Sequence, residues 1–239
     1  MSLNSFSFSQ VLWKQVKWKL SAHSQALNTL IFIQVIIAFL GFNASSMSGT
    51  GFNGIHLSIH FYSLDVMVFI ACIWAFITAL LLQRMDYLQD DFAFVTTRII
   101  STISNSILLI FYSFIATLIT IMSLYIFGVS IQLVTQVELI ADGLLINPIQ
   151  VLVSFSILLL AAFSGFFVGA LFSFSKILGI VIIGLWIAII NSLEEQFATV
   201  IIFLFGDGHL LFILKAIVLT IILMSLSTLL LSRKEVIRR

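Results

Sequence analysis

The sequence predicts an all-α fold: a polytopic integral membrane protein with six transmembrane helices. An N-terminal interfacial helix precedes them, a short re-entrant outer helix comes before the last span, and both termini are cytoplasmic. Three observations carry this expectation. The 239 residues are 61% hydrophobic and only 9% charged, against about a quarter charged in soluble domains, so lipid is the solvent for most of the chain. The apolar residues come in unbroken runs long enough to span, not in the alternating pattern of barrel strands. Backbone groups in lipid must pair within helices or a closed barrel, and the runs select helices. The basic residues, finally, fall in alternate links between the runs.

Residues 9–22 come first. Leu12, Trp13, Val16 and Leu20 share one helical face, while Lys14 and Lys17 point away. That is an amphipathic helix on the inner leaflet, with basic residues toward anionic lipid and Trp at headgroup depth. Trp13, Lys14, Lys17 and Trp18 are its interfacial anchors, although Trp18 and Val11 fall off the apolar stripe. The spans follow at Ala26–Phe42, Ser63–Gln83, Ile99–Gly128, Ile149–Phe174, Ile177–Ser192 and Leu210–Leu231. The third run is longer than a crossing needs, so it tilts or projects beyond the membrane. Ala198–Phe205 has eight residues, about 12 Å of helix, too short to cross a core of about 30 Å. It dips in and returns.

Lys14, Lys17 and Lys19 precede the first span. Arg84 and Arg98 lie between spans two and three, Lys176 between four and five, and Arg233, Lys234, Arg238 and Arg239 after the sixth. With six crossings all of these fall on the cytoplasmic side, leaving Lys215 to snorkel near the outer end of span six. The outer loops carry acids: Asp65, Glu138, Asp142, Glu194, Glu195 and Asp207. A net charge of +1 points to no nucleic-acid partner, and residues 1–20 carry no cleavable signal pattern. The single cysteine, Cys72, cannot form an internal disulfide and reads as a small packed hydrophobe.

The link Arg84–Thr102, "RMDYLQDDFAFVTTRIIST", interrupts the apolar pattern with charges and aromatics. Exposed aromatics beside acids describe a docking surface; a solvated turn with aromatics dipping into the headgroups accounts for the same composition. The order of elements, with "FAFVTTRII" after the link and "SRKEVIRR" at the end, resembles the permease subunit of an ABC-2-type ABC transporter. The resemblance covers the architecture of the whole chain, 1–239, as one permease domain. Members often carry a P-[VI]-[ST]-R element after the first inner link. Val95, Thr96, Thr97 and Arg98 match it loosely, and Phe94 stands near the place of the proline.

The resemblance implies that the link is a coupling helix seated in a cleft of a separate ATPase. Asp86, Tyr87, Leu88, Asp90, Asp91, Phe92, Phe94 and Arg98 would form its contact. The turn Phe172, Ser173, Phe174, Ser175 and Lys176 would be a second, smaller one, and Ala198–Phe205 the re-entrant outer helix. It further implies two permeases, identical or different, with two ATPase subunits in a bacterial plasma membrane. No G-x-x-x-x-G-K-[ST] occurs in the chain, so ATP and Mg would be held by the partner and this chain would hold no cofactor and no metal. The cargo implied is amphipathic: a peptide, an antimicrobial or a lipid-like molecule, exported.

Other constellations carry less. His56 and His60 are four apart and could share a helix face, but no HExxH glutamate or third ligand accompanies them; they cap the outer end of span two. Glu194–Glu195 is similar to the paired glutamate of CAAX-processing membrane proteases, but the following Arg is missing and only His209 comes later. Ala161, Gly165, Gly169 and Ser173 form a small-residue stripe that lets helices approach closely. Gln34, Asn105 and Asn191 are polar within or at the ends of spans and require partners. Mid-depth acids and bases are nearly absent, against an ion-coupled carrier and in favour of a pump powered from outside the membrane. An intramembrane enzyme, or a non-transporting scaffold or sensor partner, is the alternative class.

Overall fold

The computed structural model describes residues 8–40, 46–52, 55–61, 65–83, 98–135, 147–175, 177, 179, 181, 184, 206 and 208–232. The helices are α1 (Phe8–Ala22), α2 (Gln25–Leu40), α3 (Asp65–Leu81), α4 (Arg98–Thr135), α5 (Pro148–Phe174) and α6 (His209–Ser232). Two strands, β1 (Ser46–Phe52) and β2 (Ile55–Phe61), join α2 to α3.

α1 is mixed in character, and each of the other helices is a predominantly apolar run. Three are long and apolar enough to cross a membrane: Ile99–Ser130 within α4, then α5 and α6. α1 and α2, bent by 43° at a short break, qualify together as one span, while α3 is apolar but has 17 residues. These helices make the protein an integral membrane protein by composition and length. α4 runs on past Gly128 to Thr135; its 38 residues make a rod of about 57 Å, well beyond a core of about 30 Å. A mid-helix glycine costs about 1 kcal/mol and stops nothing by itself. α5 starts at a full capping box: Asn147 Oδ1 accepts from Ile149 N–H at 3.4 Å, and Gln150 Oε1 accepts from Asn147 N–H at 3.1 Å. Pro148 occupies its first turn, where no N–H is missed.

The link between α2 and α3 corrects the purely α expectation. β1 and β2 pair antiparallel, from Ser46 opposite Phe61 to Phe52 opposite Ile55. Ile55–Phe61 alternates apolar and polar residues with the period of a strand, and an Asn-Gly pair follows β1 in the sequence, a strong hairpin signal. His56 and His60 therefore lie on a strand, opposite Gly51 and Met47, and not on a helix capping the second span.

α5 is the centre of the bundle, packed by α3 along one side and α6 along another. On α3 the small residues Ala71, Ala75 and Ala79 are buried, at intervals of one turn. On α5, Gly165 and Gly169 approach the same stretch of chain at Phe76, Leu80 and Gln83. A Cβ at Gly165 would lie on the Phe76 backbone, 2.9 Å from its Cα, and one at Gly169 would lie 2.9 Å from Gln83 Cβ. Ala161 and Ser173 are only half-buried. Close approach of two backbones through small residues is how membrane helices gain van der Waals contact where lipid provides no hydrophobic drive. Leu108, Tyr112, Phe163 and Phe166 complete the core. Buried hydroxyls bond within their own helix: Ser106 donates to Thr102 O at 3.0 Å, and Thr117 to Ser113 O at 2.8 Å. Gln34, fully buried, donates to Met67 O at 3.0 Å and ties α2 to α3.

Candidate functional site

The densest polar chemistry among the described residues lies where α1 meets α2. α1 buries Leu12, Gln15, Val16 and Lys19, a face offset from the expected one. Trp13 is 61% exposed, and Lys14 and Lys17 are exposed as expected. The offset has a cause in α4. Lys19 is only 3% exposed, and its ammonium donates to Asn105 Oδ1 at 2.5 Å and Ser101 Oγ at 3.4 Å. Ser101 and Asn105 stand one turn apart, so they share a face of α4 and both oxygens reach the same ammonium. α1 is thus packed on a helix, with its third lysine turned inward.

The break between the helices, at His23 and Ser24, is held by side chains from two other helices. Tyr112 Oη donates to His23 O at 2.8 Å. Trp74 Nε1 donates to Ala26 O and to Thr29 Oγ1, both at 3.1 Å. Ser24 Oγ donates back to Ser21 O at 3.0 Å. A helix break in an apolar bundle frees backbone carbonyls, and each unsatisfied one costs several kcal/mol in lipid. Tyr112 supplies such a donor to His23 O from the core side, and Trp74, its ring centroid 6.3 Å away, ties the first turn of α2 to α3. Neither stands out in the sequence, since each lies in a continuous apolar run; only their pairing of apolar body with polar tip marks them.

Beside this elbow a cleft of about 480 Å³ runs between α2 and α3. Its walls are Ile33, Ile70, Ile73 and Ile77, its floor is Trp74, and its polar end is Ala22, His23 and Gln25 at the elbow.

The expected docking link lies mostly outside the described residues: Asp86, Tyr87, Leu88, Asp90, Asp91, Phe92 and Phe94 all fall there. Its two flanks are described. Gln83, 4% exposed, packs against Gly169, and among the described residues neither amide atom has a hydrogen-bond partner. Arg98 is the first residue of α4, three residues before Ser101. The second expected contact also lies partly in view. Phe172 and Ser173 are half-buried and Phe174 is exposed. α5 ends at Ser175, whose extended backbone donates to Leu171 O at 3.0 Å. Helical backbone resumes at Ile177, Gly179, Val181 and Gly184, with Gly179 over the Phe172 ring. Lys176, the rest of the expected fifth span, Asn191, Glu194, Glu195 and Ala198–Phe205 lie outside the described residues. His209 opens α6. Among the described residues no group of three His, Cys, Asp or Glu could hold a metal ion.

No family model, no curated protein and no solved structure matches the chain.

Proposed function

We propose that the chain is the membrane-embedded permease subunit of an ATP-driven exporter, energised by a separate ATPase docked on residues 84–98. The observation that carries this reading is the packing at the two flanks of that link. On one side Gln83 is wedged against Gly169 of α5. On the other, the first turns of α4 are latched to α1 through Ser101, Asn105 and Lys19. A force applied to the link would reach α5 directly and the elbow through α4, because packed helices transmit displacement as rigid bodies. The Gln83 amide, without a partner among the described residues, fits the same reading: a buried polar group left unsatisfied calls for an explanation, and a change of packing between states supplies one.

In this account six crossings put the link, the lysines of α1 and both termini in the cytoplasm of a bacterium. Two permeases pair with two ATPases, which bring ATP and Mg, and the cargo is amphipathic. The test is co-purification from cells that make the protein naturally. Wild type brings down a chain carrying a nucleotide-binding P-loop, identified by peptide mass, and Asp90→Arg/Phe92→Glu loses it. If neither form retains such a chain, the exporter reading is wrong and a non-transporting scaffold replaces it.

A further inference from the structure

We propose that the α2–α3 cleft is a binding site for one anionic phospholipid, with an acyl chain along the cleft and the headgroup beside α1 at Trp18 and Lys14. The cleft reaches from Leu82 to Ile70 along α3, twelve residue steps or about 18 Å. That matches one leaflet's share, about 15 Å, of a hydrocarbon core about 30 Å thick. Its mouth opens beside Ile73 and Ile77, which are about half exposed on a helix of a membrane protein. Away from the elbow end, water gains little there, because the polar groups along the middle of the cleft are already engaged. Thr29 Oγ1 donates to Ala26 O at 2.7 Å, Thr78 Oγ1 to Trp74 O at 2.8 Å, and the Trp74 indole to α2. A stretch between Thr29 and Thr78 whose donors are all engaged reads no sequence of polar groups, which suits a plain acyl chain.

The polarity is graded. Ile33 and Ile70 close the far end, whereas Ala22, His23 and Gln25 form the elbow end. A transmembrane helix from a partner would be apolar along its whole contact; a phospholipid is apolar along one part and polar at the other. Beyond the elbow, Ala22, Trp18 and Lys14 stand at intervals of one turn and so share a face of α1. Tryptophan favours headgroup depth, and a lysine near the surface contributes roughly a fivefold preference for anionic lipid. Phe8–Ala22 carries three lysines and no acid.

The site is tested on the full chain reconstituted in vesicles of equal phosphatidylglycerol and phosphatidylcholine, extracted gently and weighed by native mass spectrometry. Wild type retains one phosphatidylglycerol per chain, at least about fivefold enriched over phosphatidylcholine. Lys14→Gln brings the two lipids toward parity. Ile73→Trp, which narrows the cleft, removes both, and Ile77→Phe does the same should the larger substitution unfold the chain. A wild type that retains no lipid, or both in the vesicle's ratio, overturns the proposal. So does a bound phosphatidylglycerol that survives the narrowing variants, because it then sits elsewhere. The assay contains no ATPase, so its failure leaves the exporter reading standing.

Discussion

Asn105→Leu is the perturbation that most sharply tests the packing of α1. Lys19 is buried, and it donates to Asn105 Oδ1 at 2.5 Å and to Ser101 Oγ at 3.4 Å. A hydrogen bond to a charged group contributes about 1.5–3 kcal/mol, and a buried charge deprived of its acceptor costs at least as much. Polar pairs in membrane bundles average about 0.6 kcal/mol and reach about 1.7, because the unfolded state in the membrane also finds partners. The charge places this pair at the upper end, so Asn105→Leu alone should cost about 2 kcal/mol. Lys19→Met removes the cation and its need together and should cost well under 1 kcal/mol, since apolar replacement of a buried ionic group is often neutral. In the double variant most of the Asn105→Leu penalty should vanish, leaving a coupling of about 1–2 kcal/mol. Reversible unfolding in mixed micelles measures the four corners of the cycle. Strict additivity within about 0.5 kcal/mol would refute the reasoning, because it would mean that the two side chains do not sense each other.

Gly165→Ala puts a methyl into the Phe76 backbone and should destabilise by about 2–3 kcal/mol. Gly169→Ala meets Gln83 Cβ and Cγ at 2.9 Å, a smaller overlap than that at Phe76, and should cost less in the same unfolding assay. Gly184→Ala, at a helical and exposed position with nothing within 4 Å, should stabilise by about 0.5–1 kcal/mol. Gln83→Leu removes a buried amide with no partner and should stabilise the isolated chain by about 1 kcal/mol; a loss of stability would show that the amide is satisfied in solution. Tyr112→Phe should cost about 1 kcal/mol and loosen the elbow, seen as faster amide exchange at Ala26 and Leu27.

The long apolar runs made α4, α5 and α6 legible, to within a residue or two at most of their ends. The exceptions have local causes. Gly128 does not stop α4, since a single glycine costs a helix only about 1 kcal/mol. The hairpin was hidden because His56 and His60 invite a helical reading by their spacing, while Leu57 and Ile59 between them already alternate as strand residues do. The buried face of α1 reaches beyond its amphipathic stripe because α4 packs against it, and Ser101 and Asn105 of α4 admit Lys19. The polar residues Gln34 and Asn105 announced a need for partners, but a sequence cannot say that one would find a backbone carbonyl and the other a lysine. The elbow donors, Trp74 and Tyr112, were silent because their polar atoms act only once four helices are assembled.

The central claim is that residues 84–98 grip an ATPase. The chain has one native cysteine, Cys72, half-buried in α3, so a Cys72→Ala background accepts a single reporter. Asp90→Cys in that background, treated in native membranes with a short bifunctional cross-linker, should give one adduct with a P-loop ATPase chain, strengthened or weakened by ATP. Asp142→Cys, placed on the opposite side by the charge pattern, should give none. An Asp90→Cys form that never cross-links to such a chain, while labelling freely with a cytoplasmic thiol reagent, would contradict the account.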